Sequence, residues 1–141
     1  MNINTLYVLI GKTLDICQRI EHDIKIIYAS IHEGSFEDNL YQSKRWTLGQ
    51  TVTELEIIDD GYNYYYFTKE DYRLLKRISN ERNYVCHDCF EDFIYEDNYQ
   101  VSEEVFMKVY NRIDNFYNEI NNLWEVIQKI RTDIYNIIRN N

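Results

Sequence analysis

From Ile3 onward, apolar residues recur in steps of three and four: Ile3, Leu6, Ile10, Cys17, Ile20, Ile24, Ile27 and Ile31, with Thr13 in the one gap. That spacing returns to one face of an α-helix at every turn and predicts an amphipathic helix of about eight turns. Glu33-Gly34 should end it, because glycine accepts the left-handed conformation that closes many helices. The last part of the chain repeats the pattern with greater regularity. Phe106, Val109, Ile113, Phe116, Ile120, Leu123, Ile127, Ile130, Ile134 and Ile137 hold a heptad register, and Ser102-Glu103-Glu104 precedes them. Acids in a first turn suit the positive end of the helix dipole. At 1.5 Å per residue this helix is on the order of 50 Å long. It overhangs a small domain, which predicts a kink or packing on a second subunit.

Between these two, Ser35 to Asp60 reads as one or two shorter helices. Ser35 with Asp38 and Thr47 with Gln50 have the spacing of N-terminal caps. Asp59-Asp60-Gly61 is a turn. The run Tyr62 to Phe67, YNYYYF, has strand propensity, but the chain offers it no partner strand, so it reads as an aromatic loop. Its tyrosines have faces on which bases can stack; packing on the bundle is the plainer role. Thr68 with Asp71 caps a third long helix, expected to run to about Tyr95. Together these elements predict an all-α bundle of four or five helices, with long first, third and last helices, in one domain spanning residues 1–141. The absence of proline and the presence of only four glycines agree with long helices.

Composition adds constraints. Apolar residues are 45% and charged residues 28% of the 141, in the range of a folded globular chain. The net charge of -9 argues against a broad nucleic-acid surface, which needs clustered cations. The charge is uneven, however. From Arg73 to His87, four cations (Arg73, Lys76, Arg77, Arg82) stand against Glu81 alone, a net +3. No apolar run approaches the roughly 20 residues of a membrane span, and the basic n-region of a signal peptide is missing, which points to a cytoplasmic protein. Three cysteines, an odd number, are expected to be reduced thiols rather than a disulfide framework.

The third long helix carries the unusual residues. Projected at about 100° per residue, Leu74, Leu75, Ile78, Val85, Cys86, Cys89 and Phe93 share one broad side, and Arg82 lies inside it. Lys69, Arg73, Lys76, Asn80, Asn83 and His87 lie roughly opposite. An arginine on an apolar side is costly unless its charge is paired. A structural role would have Arg82 reach past the core, or pair with an acid of the first or last helix, and leave His87 in solvent. Cys86 and Cys89 have zinc half-site spacing, but a structural zinc needs four ligands. The remaining candidates, Cys17, His22 and His32, all lie on the first helix. Both cysteines also suit the apolar side as small hydrophobes, so no metal is expected.

Arg82-Asn83-Tyr84-Val85-Cys86-His87 resembles the R-x4-6-H motif of HEPN-domain proteins, in the form with asparagine directly after the arginine. The setting is similar too: a Leu-rich helix (Leu74, Leu75, Ile78), then Ser79-Asn80-Glu81, the motif, and an aromatic at Phe90. The specific match covers about ten residues. The resemblance implies a small helical bundle that dimerises, bringing two motifs into one cleft. It implies a metal-independent endoribonuclease of toxin–antitoxin or abortive-infection (phage-defence) type, with RNA as substrate, a possible protein antitoxin and no cofactor. Arg82, Asn83 and His87 would be the catalytic residues, and Arg73, Lys76 and Arg77 would face the RNA. The residue types suit that chemistry. RNA can be cut by its own 2′-hydroxyl, histidine moves protons near neutral pH, and the guanidinium fork fits phosphate oxygens. Asn83 would hydrogen-bond substrate or orient His87. Some relatives carry a tyrosine two residues after the histidine, which a partner enzyme modifies; here that position is Cys89.

On an ideal helix, positions five apart point about 140° from each other. Arg82 and His87 therefore converge only where the helix bends or ends near Cys86, or across a dimer axis. The competing reading is a non-catalytic helical interaction protein, such as an immunity protein, an antitoxin or an inactive HEPN module, whose acidity would serve a basic partner.

Overall fold

The computed structural model describes residues 2–61, 66–94 and 102–140. The helices are α1 (Ile3–Ile31), α2 (Phe36–Ser43), α3 (Leu48–Asp60), α4 (Lys69–Asn83), α5 (Glu91–Ile94) and α6 (Glu103–Asn140). A π-helical turn, Tyr84–Asp88, continues α4 directly. The described residues contain no strand, and the fold is an all-α bundle. Of the aromatic run, residues 62–65 lie outside the described residues.

Side-chain caps set the helix starts where the spacing predicts them. Ser35 accepts from the Asp38 N–H at 3.1 Å. Thr47 with Gln50 and Thr68 with Asp71 form reciprocal capping boxes, and Ser102 accepts from the Val105 N–H at 3.2 Å. Each satisfies an N–H that the helix itself leaves without a partner. The end of α1 differs from expectation. Gly34 does take a left-handed φ of 99°, but it stands beyond the cap residue His32, which is extended. The open carbonyls are instead met by α2: the Asn39 amide donates to Ala29 O at 3.2 Å and His32 O at 3.0 Å.

The core is built on α1 and α6, which run parallel. Arg19 lies over the Trp124 ring, and one turn further along both helices Asp23 accepts from Gln128 at 2.7 Å and from Arg131 at 3.3 Å. Between these polar contacts Ile20, Ile24, Ile120 and Ile127 are wholly buried. Thr13, the gap in the first stripe, is also buried, and its hydroxyl donates to Leu9 O at 2.7 Å. Two parallel helices need the chain to return between them, and α4 does so. It is antiparallel to α6, since Arg77 meets Glu119 and Glu81 meets Arg112. It is antiparallel to α3, since Glu56 meets Lys76 and Asp59 meets Tyr72. Truncating Ile127 to alanine is expected to cost about 2–5 kcal/mol, the usual range for a large apolar side chain removed from a tight core. Urea unfolding followed by circular dichroism reads that loss directly.

Two further expectations need correction. The third long helix does not run to Tyr95. The α-helical hydrogen bonding of α4 stops at Asn83, and the chain passes into the π-helical turn. The heptad of α6 is buried as far as Ile134, but Ile137, the next position in register, is 47% exposed. The bundle ends before the helix does.

Candidate functional site

The motif sits where α4 changes its hydrogen bonding. The Cys89 N–H donates to Tyr84 O at 2.8 Å, an i→i+5 bond that takes one extra residue into the turn. The extra residue rotates the following side chains relative to a straight α-helix. Val85 and Cys89 stay in the core, with the Cys89 thiol donating to Val85 O at 3.1 Å. Cys86, expected on the apolar side, is turned out to solvent instead, and His87 beside it is also exposed. Cys86 and Cys89 therefore do not form a paired metal half-site. Among the described residues no group of three or more His, Cys, Asp or Glu side chains is placed to hold a metal ion.

Arg82 lies one turn before His87 and is half-buried. Its Nη1 donates to Glu21 of α1 at 2.7 Å, and both side chains are about 30% exposed. The core arginine is thus paired with an acid of the first helix, which removes the cost of an isolated charge. Glu21 takes a single N–H, and the planar fork has several. Below this pair lies Cys17. Burial pushes its thiol up to about 12, against the lowering effect of the Arg82 charge, with Cys86 and Glu21 adding to the rise. Burial also pushes up the Cys89 thiol. Ellman's reagent is therefore expected to titrate one thiol per native chain, Cys86, and to reach Cys17 and Cys89 only after unfolding in urea. Loss of the fast thiol in Cys86→Ser checks the assignment.

A residue that the sequence reading missed anchors the motif from the other side. Arg112 of α6 places its guanidinium 3.5 Å from the centre of the Tyr84 ring. It also donates to both oxygens of Glu81, at 3.3 Å and 3.2 Å. Arg112 thus holds the residue just before Arg82 and the one two places after it. Glu81, with the Tyr84 ring, holds the Arg112 charge more firmly than usual. On α6 it occupies an outward position between Val109 and Ile113, where a cation is ordinary, so no spacing marks it out.

Asn83 and His87 are exposed, and among the described residues neither side chain is held by a hydrogen bond or ion pair. The three remaining candidates divide. Lys76 turns to α3 and meets Glu56 at 2.8 Å, Arg77 turns to α6 and meets Glu119 at 2.5 Å, and Arg73 pairs with Glu70 on its own helix. The net +3 of the linear window is thus met by acids from α1, α3, α4 and α6. Three of these four pairs are largely in solvent, and pairs of that kind contribute only about 0–1 kcal/mol each. They can be exchanged for another anion at little cost; the Arg82–Glu21 pair is the more enclosed of the four.

The arrangement combines a free imidazole, an exposed amide and a guanidinium fixed by a carboxylate, within one and a half turns of chain. It can move a proton and receive an anionic oxygen. Comparison with family models, with curated proteins and with solved structures finds no match for this chain.

Proposed function

We propose that this protein is a metal-independent endoribonuclease of the HEPN type, acting in a toxin–antitoxin or abortive-infection setting in the cytoplasm. The observation that carries the reading is the break in helix geometry at Tyr84–Asp88. An R-N-x3-H segment on a straight helix would splay its two chemical groups apart. The i→i+5 bond from Cys89 to Tyr84 closes a turn that contains His87, takes up one residue and turns the side chains after Tyr84 away from their straight-helix directions. The segment resembling a catalytic motif is also the segment where α4 leaves ordinary α-helical geometry, and such turns are frequent at functional sites.

In this reading the 2′-hydroxyl of one ribose attacks the adjacent phosphate. His87, exposed and unencumbered, takes the hydroxyl proton as the O2′–P bond forms; the P–O5′ bond breaks, and the leaving 5′-oxygen takes a proton from water. Arg82 offers the N–H groups that Glu21 leaves over to the phosphate oxygens, where negative charge builds up in the transition state. Asn83 orients the substrate or the imidazole. A second copy of the chain completes the cleft, and a protein antitoxin restrains it. The products carry 2′,3′-cyclic phosphate and 5′-hydroxyl ends.

The test is incubation of the purified chain with total tRNA in excess EDTA, beside His87→Ala prepared identically, with analysis of the termini. Cleavage by the wild type alone, with cyclic phosphate ends, is the expected result. Equal cleavage by both would remove the motif from the mechanism.

One observation favours a second reading, a non-catalytic interaction module. All four cations of the basic window are matched by acids of the same chain, and the whole chain carries -9. Such a surface suits a basic protein partner. Absence of cleavage by the wild type, with retention of a basic partner that acid-to-amide changes release, would select this reading.

A further inference from the structure

Toward the other end of α4 from His87, a cavity of about 620 Å³ opens between α3 and α4. That volume is in the range of small-ligand sites. Its walls carry opposite charge. Glu56 and Asp60, one turn apart on α3, lie across from Lys69, Arg73 and Lys76, which recur along one side of α4, and Tyr66 joins the lining from the connecting segment. Two of the cations are already matched, Lys76 by Glu56 and Arg73 by Glu70. Lys69 on one wall and Asp60 on the other are exposed, and among the described residues neither makes an ion pair. Tyr66 itself is held through its backbone. The Tyr66 N–H donates to the wholly buried Asp59 carboxylate at 2.7 Å. The slot is thus built before any ligand arrives.

We propose that this slot seats one nucleotide of a single-stranded RNA, with its phosphate on Lys69 and Arg73 and its base edge on Asp60. This rests on the ribonuclease reading above and adds a base preference to it. Lysine and the arginine fork are the phosphate donors. A carboxylate only accepts hydrogen bonds, so it selects a base edge that donates, such as the amino groups of cytosine and adenine. Uracil presents one ring N–H between two carbonyl oxygens, which a carboxylate repels. Arg73 and His87 are about 20 Å apart along the helix at 1.5 Å per residue, so a strand of a few nucleotides reaches from the slot to the motif.

The test is fluorescence anisotropy of labelled short oligomers of cytidylate, adenylate and uridylate with full-length His87→Ala protein, in EDTA at low salt. The cytidylate and adenylate oligomers are expected to bind about tenfold more tightly than uridylate, the size of one good base-edge contact. Asp60→Asn should bring the three affinities together. Lys69→Ala with Arg73→Ala should weaken all three alike and lower the salt dependence by about one phosphate contact. All three positions are exposed, and circular dichroism checks that the variants keep the fold. Equal binding of the three oligomers, unmoved by Asp60→Asn, would overturn the proposal, as would no binding at all. Wild-type cleavage of tRNA is measured in parallel. Base-selective binding without cleavage keeps the slot and rejects the nuclease. Cleavage that needs His87, with binding indifferent to Asp60, Lys69 and Arg73, keeps the nuclease and rejects the slot.

Discussion

Asp59→Ala is expected to cost about 3–6 kcal/mol of stability, since three donors would lose their acceptor at about 1–3 kcal/mol each, with partial relaxation. The Asp59 carboxylate is wholly buried. It accepts from the N–H of Tyr66 at 2.7 Å, the N–H of Phe67 at 3.1 Å and the hydroxyl of Tyr72 at 2.6 Å. It therefore joins the last turn of α3 to Tyr66 and Phe67 and to the first turn of α4. A loss of that size is a large share of the 5–15 kcal/mol that holds a typical domain together. Asp59→Asn should cost less, because one acceptor oxygen remains. Tyr72→Phe removes one of the three bonds and should cost about 1–2 kcal/mol. Urea unfolding followed by circular dichroism measures each. A loss below about 1 kcal/mol for Asp59→Ala, within the range of ordinary surface changes, would mean that water replaces the carboxylate.

The same site predicts an alkaline limb in the stability profile. The Tyr72 hydroxyl is pushed well above its ordinary value of 10.0, by burial first and then by its bond to Asp59 and the nearby acidic charges. The folded state thus holds that proton more tightly than the unfolded chain. Its contribution is complete below pH 10 and declines as the pH rises above it, where the unfolded tyrosine ionises and the folded one does not. Tyr72→Phe should flatten that decline.

His87→Ala is expected to reduce RNA cleavage by about 10²- to 10⁴-fold, the range for removing a general acid or base. It should leave stability within about 0.5 kcal/mol, since the side chain is exposed and unbonded. That separation of activity from stability is what distinguishes a chemical role from a structural one. Arg82→Lys provides a second reading. It keeps a charge near Glu21 and loses the fork, so cleavage should fall by about 10²- to 10³-fold, as for loss of a transition-state donor, with only a small change in unfolding. Arg82→Ala is less informative, because it leaves the half-buried Glu21 without its partner and lowers stability as well. Cleavage by His87→Ala at the wild-type rate would place the chemistry elsewhere.

Much of the helical layout is written in local spacing. The stripe from Ile3 to Ile31 and the heptad from Phe106 to Ile134 mark buried faces because a helix repeats every 3.6 residues wherever it lies. Ser35, Thr47, Thr68 and Ser102 mark helix starts because a cap hydrogen bond reaches only two or three residues along the chain. The unusual standing of Arg82 among apolar neighbours is equally local, and so is its resemblance to a known motif.

What bonds across the bundle was not legible in this way. Nothing in the run Tyr84 to Asp88 announces a π-helical turn. Its first residue, Tyr84, lies under Arg112, a residue of α6 that the local run does not reveal. The partner of Arg82 is Glu21, 61 positions away, and Asp23 finds Gln128 and Arg131 more than 100 positions away. The net +3 of the basic window is a property of the linear chain, and folding brings acids from four helices to meet it. The sequence by itself determined the helices, their starts and their buried faces, because those depend on neighbours within a turn. Only the tertiary structure decided which charges are neutralised, which cysteine meets solvent and where the cavity opens, because each depends on side chains that meet only when the helices pack.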